Sequence, residues 1–171
     1  MTSDLQLHYI CEIVKGIYLL HSLDIVHPYL KPENILIHQG KVCVYDLALS
    51  KDKKEQFMSN DTIQNDTFDV YEPEFMNDLK FNKSNNIFSL GMIIYQILYH
   101  ELPYSNDFKM KETFPKLNNP DSKQLFLEKT MKKCLQIDQR PLIEELYQEF
   151  ENFKKFKNTI KIKMRNSHIL F

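Results

Sequence analysis

The run from Asn85 to Tyr99 limits the fold most. Ile87, Phe88, Leu90, Met92, Ile93, Ile94, Tyr95, Ile97, Leu98 and Tyr99 crowd it so densely that no polar face is left. A helix that is apolar nearly all round has to be enclosed by other elements. The run is shorter than the ~20 residues that a membrane span needs. It is therefore expected to be the central helix of a folded core, and 171 residues suffice to build one around it.

The elements available to surround it are legible from their periodicity. Leu7, Ile10, Cys11, Val14, Ile17 and Tyr18 recur at helical spacing and predict a helix from about Asp4 to Ser22. Ser3 and Gln6 have capping-box spacing at its start. Gly16 lies inside it and suggests close packing. Ile35-Leu36-Ile37 and Val42-Cys43-Val44-Tyr45 flank a loop containing Gly40, the pattern of a short hairpin. Asp121 or Ser122 caps a helix carrying Leu125, Phe126, Met131 and Leu135. Pro141 suits the first turn of a last helix with Ile143, Leu146, Tyr147 and Phe150 on its apolar face. Residues 50–69 are polar and aperiodic, as expected of a loop. Residues 154–171 alternate Lys with Phe, Ile and Met. They read as a basic tail behind a domain of residues 1–153, a helix end in water more than a contact surface for acidic partners.

Charge and cysteine usage narrow the function. The net charge of -1 gives no general attraction to nucleic acid or to a membrane surface. Three widely spaced cysteines, Cys11, Cys43 and Cys134, fit neither a disulfide scaffold nor a zinc site and point to a reducing compartment. No basic-then-apolar leader follows Met1, so a cytoplasmic location is expected.

The chemistry-bearing stretch is Ile25-Val26-His27-Pro28-Tyr29-Leu30-Lys31-Pro32-Glu33-Asn34. It resembles the catalytic loop of eukaryotic protein kinases, H-R-D-L-K-P-E-N, through His27, Leu30, Lys31, Pro32, Glu33 and Asn34. Further motifs follow in the family's order. Asp46-Leu47-Ala48 is similar to D-F-G, and Glu72-Pro73-Glu74 to A-P-E. Asn85-Asn86-Ile87-Phe88-Ser89-Leu90-Gly91 is similar to D-V-W-S-L-G. Leu102-Pro103-Tyr104 is similar to the turn after that helix, and Cys134 to Pro141 to a shortened C-L-x-x-D-P-x-x-R-P. The resemblance covers about Leu5 to Phe153. It implies a mainly α fold, the C-terminal (large) lobe of a protein kinase with one small β-hairpin and with the small lobe absent. No G-x-G-x-x-G occurs anywhere in the chain.

The resemblance also assigns roles. Asn34 and Asp46 match a magnesium pair, and Lys31 a phosphate-facing cation. Leu36 matches the residue under adenine, and an equally good reading makes it simple core. His27 and Asn86 are structural, Asn86 standing where an Asp bonds the loop backbone. Glu74 and Arg140 match a buried ion pair. Thr67 falls where a Thr braces the loop. Two departures matter most. Tyr29 occupies the place of the catalytic Asp, and a phenol with a pKa near 10 is a donor at neutral pH, not a proton acceptor. Pro28 replaces the Arg that would pair with a phosphate on Ser59, Thr62 or Thr67. The expectation is a catalytically inactive pseudokinase lobe that binds or regulates another protein, holding ATP and magnesium at best weakly. Its partner protein would cover the surface that faces the small lobe in the family. The alternatives are a fragment of an active ATP-dependent serine/threonine kinase and a structural remnant without activity.

Overall fold

The computed structural model describes residues 1–45, 82–103 and 113–167, with side chains through residue 157. Four helices and one hairpin are found among them. They are α1 (Ser3–Ser22), a 3-10 turn (Pro32–Asn34), β1 (Ile35–His38), β2 (Lys41–Val44), α2 (Lys83–Tyr99), α3 (Ser122–Cys134) and α4 (Ile143–Ser167). The mainly helical lobe with one small hairpin is thus the observed architecture.

Helix α2 is the axis. Every residue from Asn85 to Tyr95 is buried, which is three full turns enclosed on all sides. Asn82 caps it by accepting from the Asn85 N–H at 3.1 Å, while Asn85 Oδ1 accepts the Asn82 N–H at 2.5 Å. The helix ends at His100, in the left-handed conformation with φ 58°. Gly91 is required by its neighbours. A β-carbon there would lie 2.8 Å from Leu135 Cδ2 and 2.9 Å from Cys134 Cβ, so the end of α3 rests directly on the α2 backbone.

Helix α1 buries Ile10, Cys11, Ile13, Val14 and Ile17 and packs against α2, α3, α4 and β2. Its start differs from the expected capping box. Thr2 is the N-cap and accepts from the Leu5 N–H at 3.4 Å. Ser3 and Gln6 are drawn into tertiary contacts. Ser3 Oγ donates to Asp121 Oδ2 at 2.6 Å, and Gln6 Nε2 donates to the Ile97 carbonyl at 3.0 Å. Long-range partners outcompete a local cap here because α1 and α3 begin side by side, with Lys123 Nζ also 2.9 Å from Asp4.

Asp121 caps α3, its Oδ1 accepting from the Lys123 and Gln124 N–H groups at 2.8 and 3.0 Å. Pro141 precedes α4 by two residues, and the Glu145 carboxylate accepts the Leu142 N–H at 2.9 Å. Helix α4 runs unbroken past residue 153 to Ser167, so the residues read as a tail continue the helix. The hairpin pairs Ile35 with Val44, Leu36 with Cys43, Ile37 with Val42 and His38 with Lys41. Gln39 and Gly40 both have positive φ, 49° and 75°, as a type I′ turn demands. His8 Nε2 donates to the Gly40 carbonyl at 2.9 Å and ties the turn to α1.

Candidate functional site

The segment from Asp24 to Asn34 leaves α1 through a residue with positive φ, Asp24 at 59°, whose carboxylate meets Lys83 at 2.7 Å. Lys83 holds that exposed carboxyl below the usual carboxylate range. The segment then passes over α2, and its centre is fixed by one buried side chain. Asn86 Oδ1 accepts the backbone N–H of His27 at 2.9 Å, and Asn86 Nδ2 donates to the His27 carbonyl at 2.6 Å. The same Oδ1 accepts from His21 Nε2 at 3.1 Å. A carboxylate could serve the two donors but not the carbonyl, so the amide does something an Asp at this position cannot.

His27 passes the constraint on. Its Nδ1 accepts the Tyr29 N–H at 3.1 Å, which leaves the proton on Nε2 to be donated to the Tyr45 carbonyl at 2.9 Å. Asn34 Nδ2 donates to the Tyr29 carbonyl at 2.7 Å, and the Asn34 carbonyl accepts the Tyr45 N–H, also at 2.7 Å. Both backbone polar groups of Tyr29 are thereby held by side chains of its own segment, and the segment is laced to the end of β2. Leu30 points into the core.

The side chains above this frame are arranged differently from the family roles. Lys31 Nζ donates to the Tyr29 hydroxyl at 2.9 Å and lies 4.1 Å from the centre of its ring. The cation is folded back on the phenol. The amide nitrogen of Asn34 is engaged with Tyr29. Asp46 and Glu74, Thr67 and the motifs around them lie outside the described residues. Among the described residues no three of His, Cys, Asp and Glu cluster to hold a metal.

Leu36 stands on β1 with 49% of its surface exposed, and Ile37 beside it with 53%. Next to them an apolar groove of about 240 Å³ is lined by Tyr9, Ile13, Ile35, Ile37, Ile93 and Ile97, among others. Arg140 sits near the start of α2. Its Nη1 donates to Ser84 Oγ at 3.1 Å and its guanidinium lies 4.9 Å from the Phe88 ring centre. Burial disfavours its charge.

His21 is the member of the site that sequence reasoning passed over. It is buried in the last turn of α1, and burial pushes its pKa below the ordinary histidine value, opposed by the Asn86 hydrogen bond. A signal was available. His21 continues the buried stripe Ile10, Val14, Ile17 by one more turn, so a polar ring was due to face the core.

Comparison with known proteins places this geometry in context. The model of the protein kinase domain matches residues 1–163. A probable serine/threonine-protein kinase of Dictyostelium discoideum, irlA, is 34% identical over 116 residues, 67% of this chain and 8% of the relative. Serine/threonine-protein kinase STE20 of Eremothecium gossypii is 26% identical over 150 residues, 81% of this chain and 15% of the relative. Serine/threonine-protein kinase SKM1 of Saccharomyces cerevisiae is 27% identical over 135 residues, 74% and 20%. The chain spans a fifth or less of the length of these relatives. No helix among the described residues is long and apolar enough to cross a membrane.

Proposed function

This chain belongs to the protein kinase domain family, and from that premise we propose that it is a catalytically inactive, pseudokinase-like lobe that acts by binding another protein. The observation that carries the reading is the Tyr29–Lys31 pair. Where the family places a carboxylate to accept the substrate hydroxyl proton, this chain places a phenol that itself receives a hydrogen bond from the neighbouring ammonium. In this reading Asn34 and Asp46 hold magnesium weakly at best; the Asn34 amide nitrogen donates to the Tyr29 carbonyl, which leaves Oδ1 as the atom a metal would take. ATP binding is accordingly negligible in this reading. The exposed Leu36 and Ile37 and the groove between α1, β1 and α2 form the surface for the partner protein. A signalling role in the cytoplasm fits this reading.

A second reading has its own support. The relatives are serine/threonine kinases several times longer than the matched stretch, so the lobe could belong to an active enzyme. One assay separates the two: radiolabelled phosphate transfer to a generic Ser/Thr substrate. It compares the native chain, Tyr29→Asp, and Tyr29→Asp fused behind a borrowed small lobe. The expected result is no turnover in the first two, because phosphoryl transfer depends on positioning that one lobe does not provide. Turnover by the native chain overturns the reading.

A further inference from the structure

We infer that Tyr29 is a built-in cover for Lys31, keeping the one fixed cation of the Asp24–Asn34 segment away from anions. The inference rests on the inactive reading above and adds a second consequence of the same tyrosine.

Three observations carry it. Lys31 is the only Lys or Arg between Asp24 and Asn34. Its ammonium is engaged twice by one side chain, through the hydroxyl at 2.9 Å and the ring face 4.1 Å from its centre. The tyrosine backbone is held by His27 Nδ1 and Asn34 Nδ2, so the ring is presented from a fixed point. Lys31 itself has extended backbone, φ -151° and ψ 163°, as the residue that leads into the 3-10 turn. The hydroxyl takes one of the three ammonium N–H donors and the ring covers another side, so a phosphate approaching the segment competes with the phenol for the charge. Cation–π contacts and hydrogen bonds to a charged donor both add to that barrier.

The phenol thus selects against polyphosphate in addition to lacking basicity. Because these anchors are backbone groups, Tyr29→Ala retains them and removes the cover. Tyr29→Phe removes the hydroxyl contact and keeps the ring face.

The test is a metal-free titration with inorganic pyrophosphate, followed by NMR shifts of the backbone amides of residues 29–34, with thermal melts as the control for folding. Pyrophosphate should bind Tyr29→Ala tighter than the native chain by roughly threefold or more, with Tyr29→Phe between them. The gain should vanish in Tyr29→Ala with Lys31→Met. Equal affinities in the native chain and in both single variants refute the cover. So does a gain that survives loss of Lys31, because the anion is then bound elsewhere. Should Tyr29→Ala melt early, Tyr29→Phe decides alone: no gain over the native chain refutes the cover. These outcomes are independent of the transfer assay. Flat pyrophosphate binding removes the cover and leaves the inactive reading intact. ATP turnover by the native chain removes the inactive reading even if pyrophosphate binding rises.

Discussion

Replacing Asn86 by Ala tests how the loop is held. The change deletes the acceptor for the His27 N–H, the acceptor for His21 Nε2 and the donor to the His27 carbonyl, all on buried groups. Leaving a buried polar group without its partner costs about 1–3 kcal/mol. The three share one side chain and are not additive, so the expected loss is about 3–5 kcal/mol. For a domain of this size that lowers the melting temperature by roughly 6–20 °C. Asn86→Asp should be destabilising as well, by about 2 kcal/mol at neutral pH, because a carboxylate oxygen then faces the His27 carbonyl across the present 2.6 Å contact. The assay is urea unfolding of the three proteins followed by far-UV circular dichroism. A loss below ~1 kcal/mol for Asn86→Ala refutes the argument. An Asn86→Asp variant more stable than the native chain would show that charge outweighs the lost donor.

The remaining predictions concern single groups. His21 has a folded pKa below its ordinary 6.5, so its contribution to stability is complete above that value and is lost as pH falls toward the folded pKa. Melting temperature should fall on acidification from about pH 6.5, and His21→Gln should flatten that slope. Gly91→Ala should cost about 1–3 kcal/mol in urea unfolding, since the new methyl meets Leu135 and Cys134. Gly16→Ala meets only Val44 at 3.4 Å, and the helix gain of up to ~1 kcal/mol should leave it neutral or stabilising. Arg140→Ala should cost about 2 kcal/mol through loss of the Ser84 bond and the Phe88 contact, with Arg140→Lys recovering little of it. Burial raises the Cys11 and Cys134 thiols to about 11 and about 12, so a thiol reagent should label exposed Cys43 alone in the folded chain, as read by mass spectrometry.

Residue pattern was enough for the skeleton. An apolar surface on every side of residues 87–95 could belong only to a central helix, and a cap at Asp121 or Ser122 was legible, with Asp121 and Gln124 forming the capping box in the structure. Gln39-Gly40 supplied the positive φ pair that joins β1 to β2. Pattern failed where a side chain had several uses. Ser3 and Gln6 satisfy a local capping rule, yet both are spent on residues near or beyond position 97, a choice that depends on tertiary neighbours. Lys31 carries the same letter in the motif whether it faces solvent or Tyr29, so its capture is a matter of rotamer. Asn86 was legible as an acceptor; its donor half emerged only once the His27 carbonyl was in place.

The side-by-side start of α1 and α3 has a kinetic consequence. Ser3 and Asp121 are 118 residues apart in sequence, and α1 packs against α4, whose first residue is Ile143. During synthesis α1 emerges first and waits for about 120 further residues, roughly 6–24 s at 5–20 residues per second. Until residue 99 is made the stripe of Ile10, Val14 and Ile17 lacks α2, α3 and α4, and it lacks α4 throughout the interval. A nascent chain stalled before α4 should therefore be captured by hydrophobic-segment chaperones, and release should coincide with completion of the last helix.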